Sequence, residues 1–574
     1  MHLFDWAVLI GTLTTIVVYG VWKSRKAHIS DPDDFLAGKR DLPWWTIGLS
    51  IMATQASAIT FLSTPGQAYS EGMQFVQFYF GMPIAMLFLA LFVLPIYYKL
   101  RVTTAYEYLE KRFDLRMRSL TAGLFLIQRG MAAAISILAP SIILCAVFGW
   151  DLLLTNFFMT VFVVIYTTTG GSAAVSRTQE LQMTVMLGGL ILAFFLIVHE
   201  LPEGVGVKEA WEIAGATGKT QIVDWSFSWN DRYNFWSGIL GATFLFLSYF
   251  GTDQSQVGRY LSGKTLRESR IGLIFNGLIK IPMQMLVLAV GVMVFVFYQF
   301  ENALLHFNQA NLVKMQGTPQ GEEFRRMEQA DAAIFDQKKQ ALESFRLANL
   351  ASDKVAAQSA IRQLQDLEQQ HTEVKKQSQT LIKSTGVKGD GNDKDYVFIN
   401  FVLSHIPKGL VGLMLAMIFC ASWSTTASEL SALSATSVSD VYRRLIAPGR
   451  SDEHYLKVSR RSTLIWGAFI VVFAYFASLA ENLIQAVNMI GSMFYGTMLG
   501  IFFTAFFLKQ VKGRAVFYAA VISEIVVLIC FWLNKDAFLW YNPLGCFLVM
   551  GISWIIEKVA PQPLEATSSD TPLS

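Results

Sequence analysis

The sequence predicts an all-α polytopic membrane protein with about thirteen transmembrane helices. Three observations carry this reading. The 574-residue chain is 53% hydrophobic, 13% aromatic and only 16% charged, whereas a soluble chain of this length carries more charge and divides into several domains. Long apolar runs recur, each near the roughly 20 residues that a helix needs to cross a bilayer core. Basic residues cluster in alternate loops, the asymmetry that orients membrane helices.

The apolar segments lie near 4–22, 44–66, 75–98, 119–147, 152–171, 181–200, 234–258, 271–300, 402–440, 461–480, 484–508, 515–534 and 538–557. At these lengths they are helices, which satisfy their own backbone polar groups in lipid. The first runs from Phe4 to Trp22, follows no basic region and precedes Lys23, Arg25 and Lys26. It reads as a retained span, not a cleaved signal. Further basic clusters fall at Lys99–Arg118, Arg177, Arg259–Arg270, Arg443–Arg461 and Lys509–Arg514. They put the N-terminus outside and the C-terminus in the cytoplasm, and the parity of thirteen spans agrees. The expected location is the plasma membrane, of bacterial inner-membrane type.

Residues 301–395 break the pattern, being polar and too long for a connector. From Gly321 to Lys383, residues such as Phe324, Phe335, Leu342, Phe345, Leu364 and Leu367 recur at helical spacing. They predict two or more amphipathic helices on the outer face. The chain thus divides into spans over 1–300, the insert 301–395, spans over 396–560 and a polar, disordered tail 561–574. No partner for the insert is legible.

The net charge of +3 is too small to suggest nucleic acid, leaving lipid and small solutes as partners. Cys145, Cys420, Cys530 and Cys546 all sit in apolar stretches without disulfide or metal spacing. No hydrolase or kinase signature and no phosphate-cradling Gly-Lys-Ser/Thr loop occurs, so neither an enzyme nor direct ATP drive is expected.

Polar groups inside the spans carry the functional signal. Ten hydroxyl residues fall between Ala421 and Ser439, and Ala421, Ser424, Thr425, Ser428 and Ser431 share one helical face. Small residues let helices pack closely in lipid, and neutral oxygens also ligate a hard cation such as sodium. Composition alone leaves both open. Ser50 to Thr60 is polar in mid-span, includes Gln55 and Ser57, and precedes Pro65 and Gly66. Such a segment suits a broken helix whose unwound carbonyls bind ions and substrate at mid-membrane. Arg129, Lys280 and Glu429 are charges within or near spans, with Glu429 expected nearer the inner surface. Each either pairs internally or lines a pathway.

Four stretches resemble the sodium:solute symporter family: Asp34 to Trp45, Thr104 to Phe113, Gly251 to Leu261, and Ser434 to Tyr442. The likeness runs to about residue 510 apart from the insert. It is nearest to the iodide, monocarboxylate and multivitamin branch and to the sialic acid carriers. The resemblance implies a LeuT-type core of two inverted five-helix repeats, here over 44–200 and 234–480. It implies a sodium site at Ala53, Ala56, Ala421, Ser424 and Thr425. A second site in some members needs a carboxylate where this chain has Gln179, beside Glu180, and a serine where it has Ala427. One coupled sodium ion is therefore expected.

Relative to the galactose carriers, Tyr249 and Lys280 are retained, while sugar-contacting positions read Thr60, Tyr79 and Phe246. Arg129 lies near the arginine that binds a carboxylate in the sialic acid carriers. The expected substrate site is therefore Gln55, Ser57, Thr60, Tyr79, Arg129, Tyr249 and Lys280. The expected function is sodium-coupled import, by alternating access, of a small carboxylate-bearing anion. A sodium/sugar symporter is the alternative, and a transporter-like sensor using the insert is the rival of another class.

Overall fold

The structure, a computed structural model, describes residues 2–25, 40–229, 231–315, 318–385, 391–477 and 483–560. Residues 34–39 of the first family-like stretch, Lys26 and the tail 561–574 lie outside them. Helices dominate, and among the described residues eight are long and apolar enough to cross a membrane. Three shorter apolar helices join them, at Leu3–Tyr19, Leu152–Ile165 and Ser237–Thr252. Two predicted spans, 152–171 and 181–200, fall within one helical run, Leu152–His199. Within that run the apolar segments Leu152–Ile165 and Val175–His199 remain distinct, and only the second is long enough to cross a membrane.

The hydroxyl-rich helix Leu410–Thr436 is the most enclosed of the long helices, its apolar window being 83% buried. The Leu3–Arg25 helix packs on its start. There Gly412 admits the Asp5 carbonyl, which a Cβ would approach to 2.1 Å. The Asp5 carboxylate accepts from the Gly409 N–H at 2.5 Å.

Two spans are interrupted where the sequence turns polar. Trp44–Gln55 ends at Ala56, and Ala58–Glu71 begins after an extended Ser57. Pro65 does not cause this break; it sits inside the second half. The other interruption is Asp253, with extended φ/ψ of −79° and 118° between Ala242–Thr252 and Gln254–Leu261. Breaking a helix in lipid frees carbonyls that need new donors. Tyr97 Oη donates to the Gly251 carbonyl at 2.8 Å, and Tyr106 Oη to that of Thr252 at 3.0 Å. Tyr106, in the Thr104–Phe113 stretch, thus braces the second break together with Tyr97. At the same end of the bundle Arg118 joins Asp440 (2.6 Å) and Glu110 (2.6 Å).

The insert forms an antiparallel hairpin, Pro319–Leu350 and Lys354–Ser384. Arg346 Nε–Glu209 (2.6 Å) and Lys394–Glu71 (2.7 Å) fasten it and the segment after it to the end opposite Arg118. Gly66 is needed there, because a Cβ would lie 1.8 Å from the Lys394 carbonyl oxygen. Gly66→Ala is expected to cost about 1–3 kcal/mol, read as a lowered unfolding temperature of the purified protein. An unchanged midpoint would show that the two backbones can separate here at no cost. All four cysteines are free.

Candidate functional site

The first helix break sets the site. In an unbroken helix the Ala53 carbonyl would accept from the Ser57 N–H, but that N–H turns to Gln55 at 3.0 Å. Ala53 O instead receives Ser424 Oγ at 2.9 Å and Thr425 Oγ1 at 3.4 Å. One freed carbonyl and two hydroxyls thus converge from the two polar segments of the sequence. Ala56 lies in the break itself, and Ala421 lies one turn before Ser424 and Thr425; both are fully buried. All these groups offer neutral oxygens, a donor set that suits a hard monovalent cation. Among the described residues, no three His, Cys, Asp or Glu side chains gather as a divalent-metal site would require.

Gln179, and not the adjacent Glu180, enters this cluster. Gln179 Nε2 has Ser428 Oγ (2.8 Å), Ser424 Oγ (3.0 Å) and Thr54 Oγ1 (3.1 Å) within reach of its two N–H groups, and its Oε1 accepts from Ser50 Oγ at 2.5 Å. The amide N–H group occupies the middle of three hydroxyl oxygens. A second cation would have to displace it.

Thr425 also lines a small cavity of about 80 Å³. Its wall brings together Gln55, Ser57, Thr60, Tyr79, Arg129 and Tyr249, six of the seven expected substrate residues. Phe246 stacks on Tyr79 with ring centroids 5.9 Å apart, and Gln55 Oε1 has no hydrogen-bond partner. Lys280 is absent from the wall. It lies beyond Tyr79, its ammonium 5.9 Å from that ring's centroid. It shares a buried helix face with Asn276 and Gln284, and all three end groups are unpartnered. A solute of sugar size needs these walls to part, since ligand pockets usually exceed about 300 Å³.

Arg129 is held more tightly than expected. It pairs with Asp253, with Glu429 at 3.1 Å and with Tyr495 Oη at 2.7 Å, while its Nε has no partner. Its guanidinium lies 5.2 Å from the centroid of Tyr249. Glu429 therefore lies in the central cavity and not near the inner surface: it follows Thr425 by four residues, one helical turn, on the same face. Sequence reasoning misses Asp253. Its signal is nonetheless present in Gly251-Thr-Asp253, a carboxylate within an apolar span that must be paired. Tyr495 carries no such signal.

A sequence model of the sodium:solute symporter family matches residues 35–319 and 383–523. The chain belongs to this family. Sodium is accordingly the coupled ion, and the chain is a multi-pass membrane symporter. Among symporters of known function, it is 25% identical to the sodium/sialic acid symporter SiaT of Proteus mirabilis (strain HI4320), over 95% of this chain and 93% of that one. It is 33% identical to the human sodium-coupled monocarboxylate transporter 1, over 48% of this chain and 44% of that protein. A solved structure of a Na+-coupled sialic acid symporter, substrate-bound and outward-open, superposes with a TM-score of 0.75. It covers 97% of this chain and 98% of its own at 24% identity, which fixes the symporter fold.

Proposed function

We propose that this symporter couples one sodium ion to the import of a small carboxylate-bearing solute by alternating access. The observation that carries the proposal is the double role of Thr425, whose hydroxyl meets the freed Ala53 carbonyl while its side chain lines the cavity of Arg129. A sodium ion held by Ala53, Ala56, Ala421, Ser424 and Thr425 would bridge the broken helix to the hydroxyl helix. It would also rigidify the wall against which substrate binds. Coupling requires that both ligands favour one conformation, and a shared wall supplies the means. The two interrupted helices accord with two inverted five-helix repeats in a thirteen-span chain. The basic clusters at the Arg118 end favour a cytoplasmic face there, with the insert outside and the protein in the plasma membrane.

Charge supports a carboxylate. Around the cavity Arg129 and Lys280 are formally matched by Asp253 and Glu429, so sodium and one carboxylate enter together as a neutral pair. In a low-dielectric centre that costs least. The named relatives carry sialic acid and monocarboxylates, and Arg129 Nε and Lys280 Nζ are open donors. Aromatic walls and an Arg129 already engaged by two carboxylates favour the second reading, a neutral sugar.

Membrane potential separates the two. One sodium with a monocarboxylate moves no net charge, so uptake into proteoliposomes should not respond to an imposed inside-negative potential. One sodium with a sugar moves one charge, and about 100 mV would then raise accumulation roughly 50-fold. The amide at Gln179 supports a single ion, although the related solved structure reveals a novel Na+ site in its own protein. Gln179→Asp should open that space and raise the Hill coefficient for sodium from about 1 towards 2. A wild-type coefficient near 2 would refute the single-ion count.

A further inference from the structure

A second chamber lies far from the central cavity, between the insert hairpin and the bundle. It measures about 330 Å³, large enough for a small organic molecule. Its roof is the hairpin, most of which lies outside the family match at 35–319 and 383–523. Its floor comes from the ends of Ala58–Glu71 and Leu266–Phe300 and from the loop carrying Lys219.

The chamber has more cations than its carboxylates can match. Lys338 pairs with Glu368 at 2.5 Å, Lys394 with Glu71 at 2.7 Å, and Lys375 lies 3.5 Å from Asp393. His371 Nδ1 meets Asp331 at 2.6 Å. Lys219 and Lys376 remain, and among the described residues no carboxylate stands within ion-pair distance of either. The Lys219 ammonium donates to the Ser70 carbonyl at 2.7 Å and lies 4.6 Å from the Phe295 ring centroid. Neither contact cancels its charge, and burial pulls its pKa below the ordinary lysine value. Glu368 and Glu71 act on Lys219 from beyond ion-pair distance and are each already paired with another lysine, so its charge is only partly compensated and favours an arriving anion. Beside it, Tyr69, Phe295 and Tyr298 supply an aromatic wall.

We propose that this chamber binds a small organic carboxylate, its anionic group between Lys219 and Lys376 and its body against the aromatic wall. With the insert outside, the site would load from the medium without sodium. It would concentrate anions at the mouth, as positively lined clefts do for charged ligands. The inference concerns residues apart from the sodium site and holds whether or not the central cavity selects carboxylates.

Calorimetry on the full-length protein in potassium buffer tests it, with N-acetylneuraminate and pyruvate as anionic probes and N-acetylmannosamine as the neutral control. At least one anion should bind without sodium, and the neutral control should not. Lys219→Gln with Lys376→Gln should weaken that binding at least 10-fold and leave sodium-dependent binding intact. Should the double variant misfold, Lys376→Glu alone replaces it, since that side chain is exposed. A Gln379→Cys variant on the chamber wall supplies a second readout: the binding anion should slow its labelling by a membrane-impermeant thiol reagent. Absence of sodium-free anion binding, or equal affinity in the lysine variants, would overturn the proposal. Loss of sodium-dependent binding alone would count against the central site instead.

Discussion

Ser424→Ala should raise the sodium concentration for half-maximal uptake about 10- to 100-fold, while uptake at saturating sodium stays within a few-fold of normal. The variant removes one neutral oxygen from a small ligand set, and a bond to a charged partner is worth about 1.5–3 kcal/mol, with each 1.4 kcal/mol a factor of ten. It also frees the Ala53 carbonyl, which retains only the longer Thr425 contact of 3.4 Å. Thr425→Ala should act in the same direction and, because Thr425 lines the cavity, should weaken substrate affinity as well. Equal sodium affinity in the Ser424 variant and the parent would place the ion elsewhere.

Arg129→Gln should do the greatest damage. It leaves Asp253 and Glu429 buried without their cation, and breaking such a pair costs about 3–5 kcal/mol, a large share of the roughly 5–15 kcal/mol that holds a typical protein folded. The expected result is a lower unfolding temperature and no transport. Adding Glu429→Gln removes one stranded charge. Asp253 keeps Ser255 Oγ at 2.6 Å and the Ser255 N–H at 2.9 Å. The double variant should therefore regain thermal stability but not carboxylate uptake. Recovery of both would make Arg129 a structural residue only.

The segments that build the site are legible in the amino-acid sequence, and their mutual contacts are not. Hydroxyl density marks the helix of Ser424, and polarity in mid-span marks the break at Ala56, because both conflict with lipid. Six of seven expected substrate residues share one cavity wall; Gln55, Ser57, Thr60 and Arg129 stand out as polar groups in mid-span, whereas Tyr79 and Tyr249 follow only from the family resemblance. Lys280 misses it because helical position does not tell which neighbour stands between; here it is Tyr79. Glu429 is expected nearer the inner surface, although its four-residue spacing from Thr425 already puts it on the helix face that meets the Ala53 carbonyl. Asp253 and Tyr495 reach Arg129 from helices remote from it in the chain, and pairing across helices has no local sequence signature. The amide at Gln179 is plain in the sequence, but its place among three hydroxyls depends on how distant helices meet.

The central claim is that sodium bound at the break drives solute across the membrane. Proteoliposomes given an inward sodium gradient and radiolabelled pyruvate or N-acetylneuraminate test it most directly. Accumulation above the external concentration, abolished when the gradient is collapsed or potassium replaces sodium, is the predicted result. Binding of solute without accumulation, or accumulation that persists without sodium, would contradict it.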